Sequence, residues 1–196
     1  MPSQRYMTTR QTLLHTTSDD ETLAHQARDD PEAFGELYRR HVLRVYRYHF
    51  ARTGGVHDAE DLTAQTFLSA LEGIAGYRGS GGFLAWLMGI ARRKLAMSYR
   101  NRKSNVFYDA IAELPDSAPS PEAVASKRLQ LEQISRALAG ITPDRAEAVL
   151  LCIFADLSAA EAGCVMDKSP AAVKMSLMRG LRDLKKELVS DERSPI

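Results

Sequence analysis

The sequence predicts an all-α protein built from two small helical domains joined by a flexible acidic linker. Three observations carry this. Apolar residues recur at three- and four-residue steps, no segment alternates as a half-buried strand would, and three prolines in seven residues (Pro115, Pro119, Pro121) break the pattern mid-chain. With 196 residues the chain has interior enough to fold without covalent staples.

Residues 1–17 read as a polar, threonine-rich tail without the apolar core of a signal peptide. Ser18-Asp-Asp-Glu-Thr22 starts a helix, with carboxylates at the positive end of its dipole. Asp30-Pro31 opens a second helix, whose inner face is Phe34, Leu37, Tyr38, His41, Val42, Val45 and Tyr46, and Gly54-Gly55 ends it. Asp58 is expected to cap the next helix, with Leu62, Phe67, Leu71 and Ile74 facing inward. A glycine-rich loop, Gly76 to Gly82, leads into a helix with Phe83, Trp86, Leu87 and Ile90 in the core. Residues 18–103 thus form one domain and 104–126 the linker. The second domain, 127–190, holds a helix capped by Thr142 with Pro143 in its first position. A short helix follows, with a capping box at Ser158 and Glu161, then a turn at Asp167-Lys168 and a helix restarted by Ser169-Pro170 that runs to about Leu188. Residues 191–196 are a tail.

The net charge of +1 is the sum of segregated signs. Residues 55–75 hold four acids and no Lys or Arg, 83–103 hold six Lys/Arg and no acid, and 104–126 again hold only acids. A one-signed basic run cannot neutralise itself, and its cheapest partner is a polyanion. Tyr77 and Tyr99 flank that run at its edges, where an aromatic face is free to stack on an unpaired base. In the second domain, two helices across a tight turn describe a helix-turn-helix, whose second helix enters a major groove. Val165, Val173 and Leu177 are spaced to lock the pair, leaving Lys174, Met175, Met178, Arg179 and Arg182 outward for phosphates or guanine edges. No paired carboxylates, nucleophile–base pattern or metal-ligand spacing stands out, so no enzyme, metal or cofactor is expected. Cys152 and Cys164 read as small buried thiols in a reducing cytosol. No apolar run approaches the ~20 residues that span a bilayer, so a cytoplasmic protein without membrane insertion is expected.

From about Asp19 to Leu188 the two blocks, in this order, resemble a bacterial sigma factor of the extracytoplasmic-function type, group four of the sigma-70 superfamily. Asp58-Ala-Glu-Asp-Leu62 with Thr66-Phe67 resembles the region-two helix that docks on the β′ clamp of RNA polymerase. Phe83, Trp86-Leu87 and Ile90 to Ala96 resemble the segment that recognises and melts the minus-ten element. Ile141 to Asp144, Val149 to Leu151, Lys168-Ser-Pro170, Ala172-Val-Lys174 and Arg179 resemble region four, which reads the minus-thirty-five element. The resemblance implies contacts to the polymerase β′ and β subunits through Asp58, Glu60, Asp61 and Gln65. It implies minus-ten contacts through Tyr77, Arg78, Ser80, Arg92, Arg93, Tyr99, Arg100, Arg102 and Lys103. Minus-thirty-five contacts are implied for Lys168, Ser169, Ala171, Ala172, Lys174, Met175, Met178, Arg179 and Arg182. An anti-sigma factor is a further partner the resemblance leaves room for, and the acidic linker resembles the segment that threads the polymerase channels.

The chain departs from the family pattern at Ala64, Met97, Asp167 and the small pair Ala162-Gly163, and Gly163 costs up to ~1 kcal/mol of helix propensity. Two rival classes account for part of the sequence. A helix-turn-helix regulator binding duplex operator without polymerase leaves the Asp58–Asp61 face and the glycine loop unexplained. A helical adaptor would use the segregated charges for docking proteins.

Overall fold

A computed structural model of the chain describes residues 19–79, 81–104 and 133–192, and all regular structure among them is helical. The first cluster holds α1 (Asp20–Gln26), α2 (Pro31–Thr53), α3 (Val56–Gly73) and α4 (Phe83–Ser104), with a 3-10 turn at Ile74–Gly76. Asp19 caps α1, its carboxylate accepting from the Thr22 amide at 2.7 Å. Asp30 does the same for α2 through Glu32, at 2.9 Å, ahead of Pro31 in the first helical position. The second cluster holds α5 (133–140), α6 (Pro143–Val149), a π turn at Leu150–Phe154, α7 (Ala159–Met166) and α8 (Pro170–Glu192). Ser158 and Glu161 form the reciprocal capping box of α7, and Asp167 turns the chain in the left-handed region at φ 55°.

Several expectations are corrected. Asp58 does not cap α3, because left-handed Gly54 (φ 70°) reverses the chain so tightly that the helix resumes at Val56, with Gly55 as N-cap. Asp58 sits in the first turn instead, where its charge favours the dipole. Thr142 holds the N-cap position of α6, yet its hydroxyl makes no capping bond. Leu71 faces out at 47% exposure, since the inner stripe of α3 runs through Ala59, Leu62, Thr66, Phe67 and Ala70, one residue out of phase with it. Tyr38 is exposed at the same end, edge-on to Phe67. Cys164 is exposed rather than buried, and Cys152 is half-buried. Gly163 does not merely weaken α7: a Cβ there would lie 2.6 Å from the Lys168 carbonyl oxygen, so the tight return to α8 requires glycine. Gly180 lets α8 cross α6 in the same way, with Arg145 O 2.8 Å from where its Cβ would be.

Two buried histidines join the first cluster. His41 Nε2 lies 2.7 Å from Asp20 Oδ2, which ties α1 to α2. His49 Nε2 lies 3.0 Å from Thr66 Oγ1, whose own proton goes to the Leu62 carbonyl, so Nε2 must donate. Burial pushes the His49 imidazole from 6.5 down to about 4. A histidine depressed in the folded state stabilises above pH 6.5 and loses that contribution as pH falls toward 4, about 3 kcal/mol in all. The unfolding midpoint is therefore expected to drop between pH 7 and pH 4.5, and His49→Gln should flatten that slope. An unchanged slope in the variant would place the acid sensitivity elsewhere.

The two clusters expected from the sequence are both present, and they also pack on each other. α2 lies along the π turn and α4 along α7, inside one continuous buried core. Tyr48 of α2 is wholly buried at this seam and donates its hydroxyl to Glu147 Oε1 at 3.0 Å. Arg44 pairs with Asp156 at 3.2 Å near the edge.

Candidate nucleic-acid and partner interfaces

The acidic surface lies on α3. Glu60, Asp61 and Gln65 are exposed, Asp58 is half-buried, and Gln65 Nε2 donates to Asp61 Oδ2 at 2.7 Å. Asp61, Ala64, Gln65 and Leu68 share one helical stripe. Leu68, 58% exposed, and Leu71 give that stripe an apolar margin, an arrangement suited to a partner surface rather than to water. Leu68 was not picked out from sequence, and Leu71 was expected to face inward. Their period fits either face, and only the packing of α3 shows which.

The basic surface lies on α4 and the loop before it. Arg92, Arg93 and Arg100 are exposed, and Lys94 beside them is half-buried. Arg78 is exposed on the loop. Ser80 and the side chains of Arg102 and Lys103 lie outside the described residues. Phe83, Leu87 and Ile90 are core, with Trp86 half-buried against them. The expected stacking role of Tyr77 does not fit its position: the ring is 2% exposed, packed on Phe83 and Trp86. Its hydroxyl donates to Glu21 Oε1 at 2.7 Å, and burial pushes its pKa well up. An aromatic beside glycines reads as a loop-tip platform in sequence, whereas here α1 closes over it. Tyr99 stays exposed, although Arg52 lies over its ring at 5.9 Å and its hydroxyl donates to the Arg52 carbonyl at 2.7 Å.

The seam between the clusters borders this surface. Arg92 Nη1 donates to the Val165 carbonyl at 3.2 Å, and its Nε lies 3.6 Å from Glu147. Burial raises the Glu147 carboxyl above the usual range, against the pull of the Tyr48 hydrogen bond and Arg92. Trp86, Gly89, Arg92, Arg93, Cys164 and Val165 line a cleft of about 430 Å³.

On the helix-turn-helix, Val173 is fully buried between α7 and α8 while Val165 and Leu177 pack beside it. Ser169, Ala171, Ala172, Lys174, Met175, Met178, Arg179 and Arg182 are all exposed. The Ser169 hydroxyl accepts from the Ala172 amide at 3.2 Å, which caps α8. Lys168 is half-buried and pairs with Asp144, so its charge is already met within the chain.

Two sequence-family models match the chain, Sigma-70 region 2 over residues 37–105 and Sigma-70, region 4 over residues 131–184. RNA polymerase sigma factor NccH of Alcaligenes xylosoxydans xylosoxydans is 30% identical over 183 residues, spanning 89% of this chain and 97% of NccH. The chain belongs to the extracytoplasmic-function sigma factors. The ECF RNA polymerase sigma factor BldN of Streptomyces coelicolor is 34% identical over 167 residues, which are 84% of this sigma factor and 63% of BldN, under two thirds of that relative's length. The structure of CnrH in complex with the cytosolic domain of CnrY superposes with a TM-score of 0.66 at 26% identity, covering 88% of this chain and 98% of that one. The region-two match begins within α2 and runs through α4, and the region-four match spans α5 to α7 and the first part of α8. Among the described residues, no helix of this sigma factor is long and apolar enough to cross a membrane.

Proposed function

We propose that this sigma factor binds core RNA polymerase, directs it to specific promoters and helps melt the minus-ten region. One observation carries the reading: a single chain presents an acidic–apolar stripe, a basic helix and a basic helix-turn-helix face, each solvent-exposed and each on a different helix. An operator-binding regulator needs only the third. Asp58, Glu60, Asp61 and Gln65, with Leu68 and Leu71, would dock on polymerase. Arg78, Arg92, Arg93, Tyr99 and Arg100 would hold the minus-ten strands, with Ser80, Arg102 and Lys103 completing the set. Ser169, Ala171, Ala172, Lys174, Met175, Met178, Arg179 and Arg182 would meet the minus-thirty-five duplex, with Lys168 beside them.

Promoter opening requires no bond chemistry, only a state in which unpaired bases are held better than paired ones. Unstacking a base costs a few kcal/mol, which a receiving pocket offsets. The glycine loop remains the best candidate pocket, with Tyr77 supporting it from below instead of stacking on the base. Run-off transcription with core polymerase and this chain on a cognate promoter tests the proposal, because an operator-binding regulator would give no specific transcript. CnrH is found with the cytosolic domain of CnrY, and a protein partner that covers region two or four fits the exposed surfaces here as well.

DNA engagement at Arg92 must displace the seam contacts of that residue. Glu147→Ala removes the acceptor of buried Tyr48 and the anionic partner of Arg92. Leaving the Tyr48 hydroxyl unsatisfied costs about 1–3 kcal/mol if the seam stays shut. The variant is expected to show a larger radius of gyration in small-angle scattering. An unchanged radius would show that the apolar seam alone keeps the clusters together.

A further inference from the structure

The loop that joins the acidic helix to the basic one is held from an unexpected side. Glu21 of α1 lies outside the stretch matched by the region-two family model, which begins at residue 37. Its Oε1 accepts from the Tyr77 hydroxyl at 2.7 Å, where the loop begins, and from the Phe83 amide at 3.1 Å, where the loop ends. One carboxylate oxygen therefore closes the loop at both ends and caps the first turn of α4. Arg28, in the turn after α1, donates from Nη2 to the Tyr77 carbonyl at 2.6 Å. Between these ties the backbone folds over the carboxylate: a Cβ on Gly79 would lie 3.1 Å from Glu21 Oε2. Gly79, Gly81 and Gly82 adopt φ values of 76°, 87° and 86°. Such a glycine run has many other conformations open to it, and nothing in its own sequence selects this one.

We infer that Glu21 is a positioning residue that sets the loop in the shape that receives an unpaired minus-ten base. The inference rests on the proposed function of the loop and adds to it the device that pre-forms the pocket. Holding the loop before DNA arrives removes ordering cost from base capture, so affinity and base discrimination should both depend on the tie. Tyr77 acts as the strut. Its ring is wedged under the loop against Phe83 and Trp86, and its hydroxyl carries the bond to Glu21. Arg78 is left exposed, and Gly81, exposed as well, sits beside α7, where a Cβ on it would lie 3.3 Å from Cys164 Sγ.

The test uses holoenzyme assembled from core polymerase and the full chain, with single-stranded oligonucleotides of the non-template minus-ten strand carrying each base in turn at every position. Wild type is expected to prefer one base at one position at least tenfold. Glu21→Ala should reduce that preference to less than threefold while binding core polymerase as tightly as wild type. Glu21→Gln should restore most of the preference, since its amide oxygen can accept from both donors. Tyr77→Phe, which removes only the hydroxyl, should show an intermediate loss and covers the case in which Glu21→Ala does not fold. Wild-type preference retained in Glu21→Ala, or in Tyr77→Phe where Glu21→Ala does not fold, overturns the positioning role and leaves the sigma reading standing. An even loss of affinity for all bases would show a structural role only and also overturns it. A wild-type holoenzyme that prefers no base at any position removes the base-capture reading itself, and the inference with it.

Discussion

Asp61→Lys is expected to weaken binding to core polymerase at least tenfold, about 1.4 kcal/mol or more, while leaving the unfolding transition in place. Asp61 is exposed on α3, bonded only to Gln65 among the contacts described, so reversal breaks nothing in the core. Its surroundings make the change costly for a partner. Glu60 and Asp61 present negative charge beside exposed Leu68 and Leu71, and a basic partner surface that meets the leucines would be forced against a new lysine. Asp29→Lys, a reversal in the exposed turn after α1, serves as the control and should bind as wild type. Unchanged affinity of Asp61→Lys in competition with another sigma factor for core would move the anchor away from α3.

Arg179→Ala is expected to erase discrimination at one base pair of the upstream element by about 1–3 kcal/mol, roughly 5- to 150-fold. Arg179 stands exposed on the outer face of α8, one turn beyond Met175 and near Met178, on a helix capped by Ser169 and fixed to α7 by Val173. A guanidinium there can take two acceptors of a guanine at once. Lys174, a point charge on the same helix, should behave differently. Lys174→Ala should weaken all sequences evenly and lower the salt slope by about one. These measurements belong on the full chain rather than on an isolated region four, because Glu147 accepts from Tyr48 of the first cluster and Leu150 is buried in the shared core. If Arg179→Ala shifts all promoters alike, base readout lies with other residues of the face.

The sequence was most legible where structure is local. The caps at Asp19, Asp30 and Ser158, the left-handed turn at Asp167 and the outward face of α8 all follow from rules that act within four residues. The caps misread at Asp58 and Thr142 are local, but the other misread features depend on a partner outside the helix or loop that carries them. Tyr77 looks free because Glu21, 56 residues earlier, cannot be seen closing over it. Tyr48 looks like one more aromatic on α2, although its hydroxyl meets Glu147 across 99 residues of chain. Gly163 reads as a propensity cost until the Lys168 carbonyl is found where its side chain would be. Leu68 and Leu71 fit either phase of a helical period, and only the packing of α3 on its neighbours turns them outward. The family resemblance pointed to these surfaces through short motifs. It carried no information on how α1 and the seam between regions brace them.

The most direct test of the account is sequencing of the RNA 5′ ends made on genomic DNA by core polymerase with and without this chain. The account predicts a discrete set of new start sites that share two upstream elements at fixed spacing, lost in Asp61→Lys and redistributed in Arg179→Ala. Start sites identical with and without the wild-type chain, under conditions where it binds duplex DNA, would contradict it.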